Sequence, residues 1–130
     1  MLAPGTLPAL VVRICEPRFV LHAGKEILRL DYSGLSHAEL LAAFDTAGRV
    51  IRSHPLRSLR ILTLLKSHFN AESAEALKRY GMTNRPHVRA SAVIGTSFWN
   101  VPVMSLQVSG REDLVLFDDE ARALDWLAGA

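Results

Sequence analysis

The chain has 130 residues, of which 49% are apolar and 22% are charged, and its formal net charge is +2. This length is typical of one domain that can bury a core, and the composition excludes a disordered chain or a disulfide scaffold. The charge excess is too small to indicate a nucleic-acid-binding protein, and the single cysteine, Cys15, excludes an internal disulfide and favours a reducing compartment.

The N-terminal part of the sequence predicts an arm followed by short strands. Residues 1–8 contain two prolines and a glycine and are typical of a loose arm, so we expect one domain over residues 9–130. Apolar runs follow at residues 9–15, 19–22 and 26–31, and the breaks between them are short enough for hairpins. We expect an antiparallel meander, which could also pair with a second copy of the chain along its edge.

Residues 36–54 carry the clearest helical pattern in the chain. Ser36 and Glu39 have the spacing of a capping box, and Pro55 disfavours helical geometry at the residue before it, which ends the helix. Apolar residues repeat at helical spacing and predict a buried stripe made of Leu40, Leu41, Phe44, Ala47 and Ile51.

The next two elements are a buried strand and a second helix. Residues 58–65 are nearly continuous in apolar side chains, which is typical of a strand covered on both faces, although periodicity alone does not exclude a helix. Asn70 is a suitable N-cap for a helix over residues 71–84, and the pair Arg85-Pro86 ends or kinks that helix.

Residues 90–95 (ASAVIG) predict the central strand of the sheet, because small and β-branched side chains allow helices to approach both faces. Pro102 limits where the following helix begins. A cap at Ser97 would place Pro102 in the helix interior, whereas a cap at Asn100 places it in the first turn, where proline is tolerated. We therefore expect a short helix over residues 101–108.

The C-terminal part of the sequence predicts a last strand and a last helix. Residues 114–117 are apolar, and Asp118 or Asp119 caps a helix whose first turn is acidic. Strands and helices alternate from residue 58 onward, which implies right-handed crossovers and parallel pairing. The sequence therefore predicts a single α/β domain with a mixed sheet, antiparallel in its N-terminal strands and parallel in the remainder, and with about four helices.

Three segments together resemble small bacterial proteins described as SpoIIAA-like, which are grouped with the STAS domains of sulfate transporters and anti-sigma-factor antagonists. The segments are ILRLDYSGL (residues 27–35), NRPHVRASAVIG (residues 84–95) and FDDEARALDWL (residues 117–127). They are moderately specific as a set and weak singly, and the resemblance covers residues 19–127.

This resemblance implies a mixed sheet with helices, used as a non-catalytic module for protein partners or, in some relatives, for apolar ligands or nucleotides. The phosphorylated branch of the family carries an Asp-Ser motif at the head of the helix that follows a central strand. This chain has Lys66-Ser67 at the comparable place, and its Asp31-Tyr32-Ser33 segment precedes the first helix. No phosphorylation site is therefore carried over from the family.

A candidate site follows from the predicted sheet. In an open α/β sheet, ligands bind beyond the carboxyl ends of the parallel strands. The side chains expected at that edge follow three predicted strands. They are Ser33, Lys66, Ser67, His68, Thr96, Ser97, Phe98 and Trp99.

Two interpretations of these residues stay open. In the first, Lys66 and a helix N-terminus beside residues 96–100 bind an anion, or Phe98 and Trp99 line an apolar cleft. Alternatively, the polar side chains only satisfy backbone groups in a turn, and one aromatic residue belongs to the core. The sequence favours the turn role for the polar residues and does not separate the two roles of the aromatic pair.

The remaining reactive side chains predict neither a metal site nor a cofactor. The five histidines are scattered without the spacing of metal ligands, and only His68 falls on the predicted edge. Cys15 is expected to be an inert thiol, and helix capping explains the acidic run at residues 118–120. The sequence contains no glycine-rich phosphate-binding motif.

Four arginines lie around the end of the first predicted helix, and they could bind an acidic partner, a phosphate surface or RNA. No aromatic residues are interleaved with them for base stacking, so we favour a solvated face and expect no nucleic-acid partner. The four are Arg49, Arg52, Arg57 and Arg60.

The sequence as a whole favours a non-enzymatic STAS-like binding or regulatory module that engages a protein partner. One alternative is a carrier or sensor of a small apolar or anionic ligand, lipid-like or a nucleotide, at the same edge of the sheet. A further alternative is hydrolase-like chemistry by Ser67 or Ser97 with His68, although no acid partner or nucleophile-elbow motif accompanies them. We expect a cytoplasmic protein without a signal peptide or membrane span, and the N-terminal strands are compatible with a homodimer.

Overall fold

The computed structural model describes residues 16–67, 70–95, 100–108, 110–111 and 113–130, with the backbone alone at residues 100, 101 and 108. These residues form five strands, four α-helices and one 3₁₀ turn. In chain order they are β1 Arg18–His22, β2 Lys25–Asp31, α1 His37–Arg52, β3 Leu59–Leu65, α2 Ala71–Asn84, the 3₁₀ turn Arg85–His87, β4 Val88–Gly95, α3 Asn100–Val108, β5 Leu114–Phe117 and α4 Glu120–Gly129.

The five strands form one mixed sheet in the order β1-β2-β3-β4-β5. β1 pairs antiparallel with β2, and every later pair is parallel. The β1–β2 hairpin turns at Ala23 and Gly24, whose φ angles are 49° and 78°. Positive φ at both central residues is what a two-residue type I′ turn requires. The predicted mixed α/β sheet with antiparallel strands at its N-terminal side is confirmed.

The segment predicted as the central strand is an interior strand but not the middle one. β4 lies between β3 and β5, whereas β3 has two of the described strands on either side of it. Both β3 and β4 are buried on both faces, as their apolar sequences predicted. Strand order depends instead on backbone pairing, which side-chain type does not encode.

The predicted starts of α1, α2 and α4 are confirmed, and each has a local cause. Ser36 and Glu39 form the capping box of α1, with Oγ of Ser36 accepting from the Glu39 amide at 3.2 Å. Asn70 caps α2, and Asp119 rather than Asp118 caps α4 by accepting from the amide of Ala121 at 2.8 Å. Helix α3 begins at Asn100, so Pro102 lies in its first turn.

The helices divide unequally between the two faces of the sheet. Helices α1, α2 and α3 pack on one face, over the larger apolar cluster, which includes Leu30 and Phe44. Helix α4 packs on the other face, over a smaller cluster that includes Leu62 and Ala92. The alternation of side chains along each strand supplies both clusters.

Polar contacts hold α4 to its face of the sheet. Arg60 on β3 donates hydrogen bonds to the carbonyl oxygens of Leu127 at 3.0 Å and Ala130 at 2.9 Å, which satisfies carbonyls at the helix C-terminus. At the other end of the helix, Arg29 on β2 donates to the Glu120 carboxylate at 3.0 Å. Glu120 therefore raises the pKa of Arg29 by hydrogen bonding, against the opposing effect of burial.

Some predictions fall outside the described residues. The predicted arm at residues 1–8 and the predicted first strand at residues 9–15 are among them. Within the described ranges, no helix is both long enough and apolar enough to cross a membrane.

Candidate functional site

The carboxyl ends of β2 and β3 are joined by backbone hydrogen bonds that continue past the strands. The amide of Tyr32 donates to the Leu64 carbonyl at 2.9 Å, and the amide of Gly34 donates to the Lys66 carbonyl at 3.0 Å. These bonds bring Ser33 and Lys66, which are both exposed, to one edge of the sheet. We call this edge the carboxyl edge.

Asp31 is an additional charged residue at the carboxyl edge that the sequence did not single out. Its Oδ1 accepts from the amide of Ser33 at 3.0 Å, and Gly34 follows at a φ of 74°. Partial burial raises the pKa of Asp31, but hydrogen bonds from Ser33 and the charges of Arg29 and Lys66 outweigh it, so the net pKa lies below its ordinary value. The edge therefore presents an ionised carboxylate beside a lysine.

Three aromatic rings pack against one another beneath the carboxyl edge. Tyr32 is fully buried and meets Phe44 edge-on at a centroid distance of 5.4 Å, and Phe44 stacks on Tyr80 at 4.9 Å. The hydroxyls of Tyr32 and Tyr80 lie 3.3 Å apart. Because Tyr32 follows β2 directly and the other two rings come from α1 and α2, these contacts hold the start of the loop after β2 against both helices.

Ser67 lies beneath the carboxyl edge rather than on it. The residue is 6% exposed, whereas its neighbour Lys66 is exposed. Ser67 is therefore not part of the exposed surface that Ser33 and Lys66 form at this edge.

The remaining candidate residues are outside the described ranges. They are His68, Thr96, Ser97, Phe98 and Trp99, and their roles stay predictions. β4 ends at Gly95, which pairs with Leu65, so β3 and β4 end at the same edge of the sheet.

A small cavity lies between the sheet and helices α1, α2 and α3. Its volume is about 30 Å³, and its lining is mainly apolar, with Leu77, Val93 and Leu106 among the lining residues. A water molecule needs roughly 10–15 Å³ of such space. The cavity therefore has room for one or two waters and not for a lipid-like ligand.

No family model matches the chain, and no curated protein matches it. Among solved structures, the chain is similar to an uncharacterised protein of the DUF3478 family from Shewanella loihica PV-4, whose crystal structure is described as having a SpoIIAA-like fold. The two share 14% identity with a TM-score of 0.68, over 88% of this chain and 94% of the other. This chain has a SpoIIAA-like fold. The resemblance found in the sequence motifs is confirmed as a likeness of fold.

A second candidate site lies at the opposite edge of the SpoIIAA-like sheet, where the parallel strands begin. An open pocket of about 180 Å³ lies there and is lined by Arg57, Arg85, Val88, Arg89, Gly110 and Asp113. We call it the arginine pocket. The sequence carried no signal for it, because Arg57 precedes β3 while Arg85 and Arg89 lie at the start of β4, and they meet only when these two strands pair in parallel.

The basic group predicted at residues 49–60 does not form one surface in this fold. Arg49 pairs with Asp45, Arg52 donates to the Asn84 side chain at 2.8 Å, and Arg60 binds the end of α4. Arg57 alone reaches the arginine pocket. In the described part of the chain, no group of three histidine, cysteine, aspartate or glutamate side chains could hold a metal ion.

Proposed function

We propose that this SpoIIAA-like chain is a non-enzymatic regulatory module of the STAS type, which binds a protein partner at its carboxyl edge. The observation that carries the proposal is an exposed edge with both charge signs, where Asp31, ion-paired with Arg29 at 3.8 Å, and Lys66 lie on a backbone that is hydrogen-bonded across two strands. The likeness in fold supports the same class of module.

The charges at the carboxyl edge favour a protein over a simple anion. A phosphate approaching Lys66 would also meet the ionised carboxylate of Asp31, which repels it. A protein surface can place an acidic group on Lys66 and a basic group or hydrogen-bond donor on Asp31. Such complementarity fixes the orientation of a partner and excludes wrong ones.

The rigidity of the edge supports a binding role as well. The bonds from Tyr32 to Leu64 and from Gly34 to Lys66 hold the loop after β2, and the stacked rings hold it from below. A surface that is already ordered loses little conformational entropy when it binds. The burial of Ser67 further supports binding over acyl transfer at this edge.

The alternative is a small ligand at the same edge, either apolar or anionic. It is supported by the exposed lysine and by the aromatic pair Phe98 and Trp99 predicted beside it. Native mass spectrometry of the purified chain distinguishes this alternative, because a carrier retains a small molecule of defined mass and a protein-binding module does not.

Two charge-reversal variants, at opposite ends of the sheet, test the partner-binding proposal. Lys66→Glu places two negative charges side by side at the carboxyl edge, whereas Lys25→Glu makes the same charge change at the opposite end of β2. We expect a partner captured from the source organism by the unmodified chain to be lost by Lys66→Glu and retained by Lys25→Glu. Equal retention by both variants would show that binding does not use the carboxyl edge.

A further inference from the structure

The arginine pocket lies at the other edge of the sheet and is separate from the proposed partner site. Its three arginines come from three places: Arg57 from the loop before β3, Arg85 from the 3₁₀ turn, and Arg89 from the start of β4. All three residues are exposed, and the pocket is concave and mainly polar.

Backbone hydrogen bonds hold the two segments that carry Arg57 and Arg85. The amide of Arg57 donates to the Pro86 carbonyl at 2.9 Å, and the amide of Ser58 donates to the His87 carbonyl at 3.2 Å. Nδ1 of His87 lies 2.8 Å from the carbonyl oxygen of His54, so this nitrogen carries the proton and donates. The loop before β3 is thereby fixed against the 3₁₀ turn.

The backbone at two further positions directs arginines into the pocket. The β3–β4 register shifts between Leu59, which pairs with Val88, and Arg60, which pairs with Ala90, so Arg89 occupies an irregularity in β4. Gly110 lies beside Arg85, because a Cβ built on Gly110 would be 3.5 Å from Nη1 of that guanidinium. The positive φ of Gly110, 114°, is a conformation that favours glycine.

Arg57 adopts a backbone conformation that is unfavourable for an arginine. Its φ of 55° is in the left-handed region, where a residue with a Cβ is destabilised relative to the right-handed one. The same loop lines the pocket together with Arg85 and Arg89. Strained backbone of this kind clusters at binding sites.

No carboxylate side chain of the described residues forms an ion pair with the three arginines of the pocket. Asp113 lines the pocket, but both of its carboxylate oxygens accept from Arg111, each at 2.9 Å. Arg89 donates through Nε to the carbonyl oxygen of Ala130 at 3.2 Å, and that contact uses one of its donors.

We propose that the arginine pocket binds a phosphate group, either as free phosphate or on a small phosphomonoester. Guanidinium groups present paired N–H donors that match the oxygens of a phosphate, and hydrogen bonds between charged groups are stronger than neutral ones. A volume of about 180 Å³ far exceeds the roughly 10–15 Å³ that one water needs, so a tetrahedral anion has space between the three side chains. The bound dianion would pair with the three guanidinium groups that line the pocket.

Titration of the full chain with inorganic phosphate in low-salt buffer tests this proposal, with binding measured by calorimetry and by the ³¹P signal. We expect saturable binding of one phosphate per chain. Arg85→Gln should weaken it about tenfold or more, because it removes charged hydrogen bonds, and the double variant Arg57→Gln/Arg85→Gln should weaken it further.

Arg79→Gln is the matched control, since Arg79 is an exposed residue of α2 outside the pocket and its loss changes the net charge equally. The affinity of this variant should stay within about twofold of the unmodified chain, because distant surface charges are screened. Absence of saturable binding, or equal weakening by Arg79→Gln, would overturn the proposal.

Additional ligands identify the source of the phosphate group. Tighter binding of phosphoserine or adenosine monophosphate than of inorganic phosphate supports a phosphomonoester, and equal affinities support free phosphate. Binding of a short RNA without any binding of these small ligands would overturn the proposal in favour of a nucleic-acid backbone.

Discussion

The two edges of the parallel sheet differ in how their charges are balanced. At the carboxyl edge, Lys66 lies near Asp31, whose pKa the surrounding hydrogen bonds and positive charges lower. At the opposite edge, the pocket is lined by Arg57, Arg85, Arg89 and Asp113, and Asp113 is already paired with Arg111. A balanced edge is suited to a surface with both charge signs, and an unbalanced pocket is suited to an anion.

The edges also differ in how the backbone supports them. The loop after β2 at the carboxyl edge turns at Gly34, where a positive φ carries little penalty. The loop before β3 at the opposite edge turns at Arg57, where the same conformation is unfavourable. The comparison indicates that the arginine pocket, rather than the carboxyl edge, carries a stability cost that a ligand can offset.

The largest expected effect concerns the buried ion pair under the arginine pocket. Arg111 is 3% exposed, and it donates to Asp113 and, at 2.6 Å, to the Gly81 carbonyl. Asp113→Asn leaves this buried charge without a counter-ion, so we expect the free energy of unfolding to fall by about 2–3 kcal/mol in urea denaturation. The variant would show that the pocket is built on a structural ion pair.

Asp45→Asn is the control for this variant, because Asp45 pairs with Arg49 on the exposed face of α1. Exposed pairs of this kind contribute about 0.3–0.5 kcal/mol. Equal losses in Asp113→Asn and Asp45→Asn would mean that the Arg111–Asp113 pair is not a support for the pocket.

An intermediate effect is expected from the strained residue of the pocket. Arg57→Gly relieves the positive φ, whereas Arg57→Gln removes the charge and keeps the Cβ. We expect the free energy of unfolding of the glycine variant to be about 0.5–1 kcal/mol higher than that of the glutamine variant. The relief of left-handed strain in the folded state exceeds the added entropy of glycine in the unfolded state. A less stable glycine variant would contradict the assignment of strain to this loop.

The smallest expected effect concerns the pH dependence of the carboxyl edge. Because the folded state lowers the pKa of Asp31, ionised Asp31 stabilises the fold above its ordinary pKa of 3.8, and this contribution is lost as the pH falls through the lowered value. The side chain is about half exposed, so the contribution is a few tenths of a kcal/mol.

Urea midpoints at pH 7 and pH 3 measure this contribution. The unmodified chain should lose slightly more stability on acidification than Asp31→Asn, whose amide oxygen still accepts from Ser33. An identical loss in both proteins would show that the hydrogen bonds at the carboxyl edge do not favour the ionised carboxylate.

The local elements could be predicted from sequence because their causes lie within a few residues. Ser36 and Glu39 cap α1 through each other, and Asn70 caps α2 through Ser73. Pro102 excluded a helix start at Ser97, and the observed start at Asn100 agrees. The buried strand at residues 59–65 was predicted from its nearly continuous apolar run, although that pattern alone did not exclude a helix.

The candidate site could be predicted only in part. The positions of Ser33 and Lys66 at one edge follow from parallel pairing of strands whose ends the sequence marks. The burial of Ser67 was not predictable, because a serine after a strand carries no signal for the direction of its side chain. The role of Asp31 at this edge was also missed, since Lys66 is brought near it only by the pairing of β2 with β3, although Arg29 and Ser33 are two residues away in sequence.

The sequence by itself therefore determined the helices, the strands and the general class of the fold, because caps, prolines and apolar periodicity act over short distances. The tertiary structure decided which strand is in the middle, which helix covers the second face, and which arginines share a pocket. Arg57 lies before β3, whereas Arg85 and Arg89 lie at the start of β4, and only the pairing of β3 with β4 brings these two segments to one edge. Backbone hydrogen bonds between distant strands carry that information, and no short stretch of side chains records it.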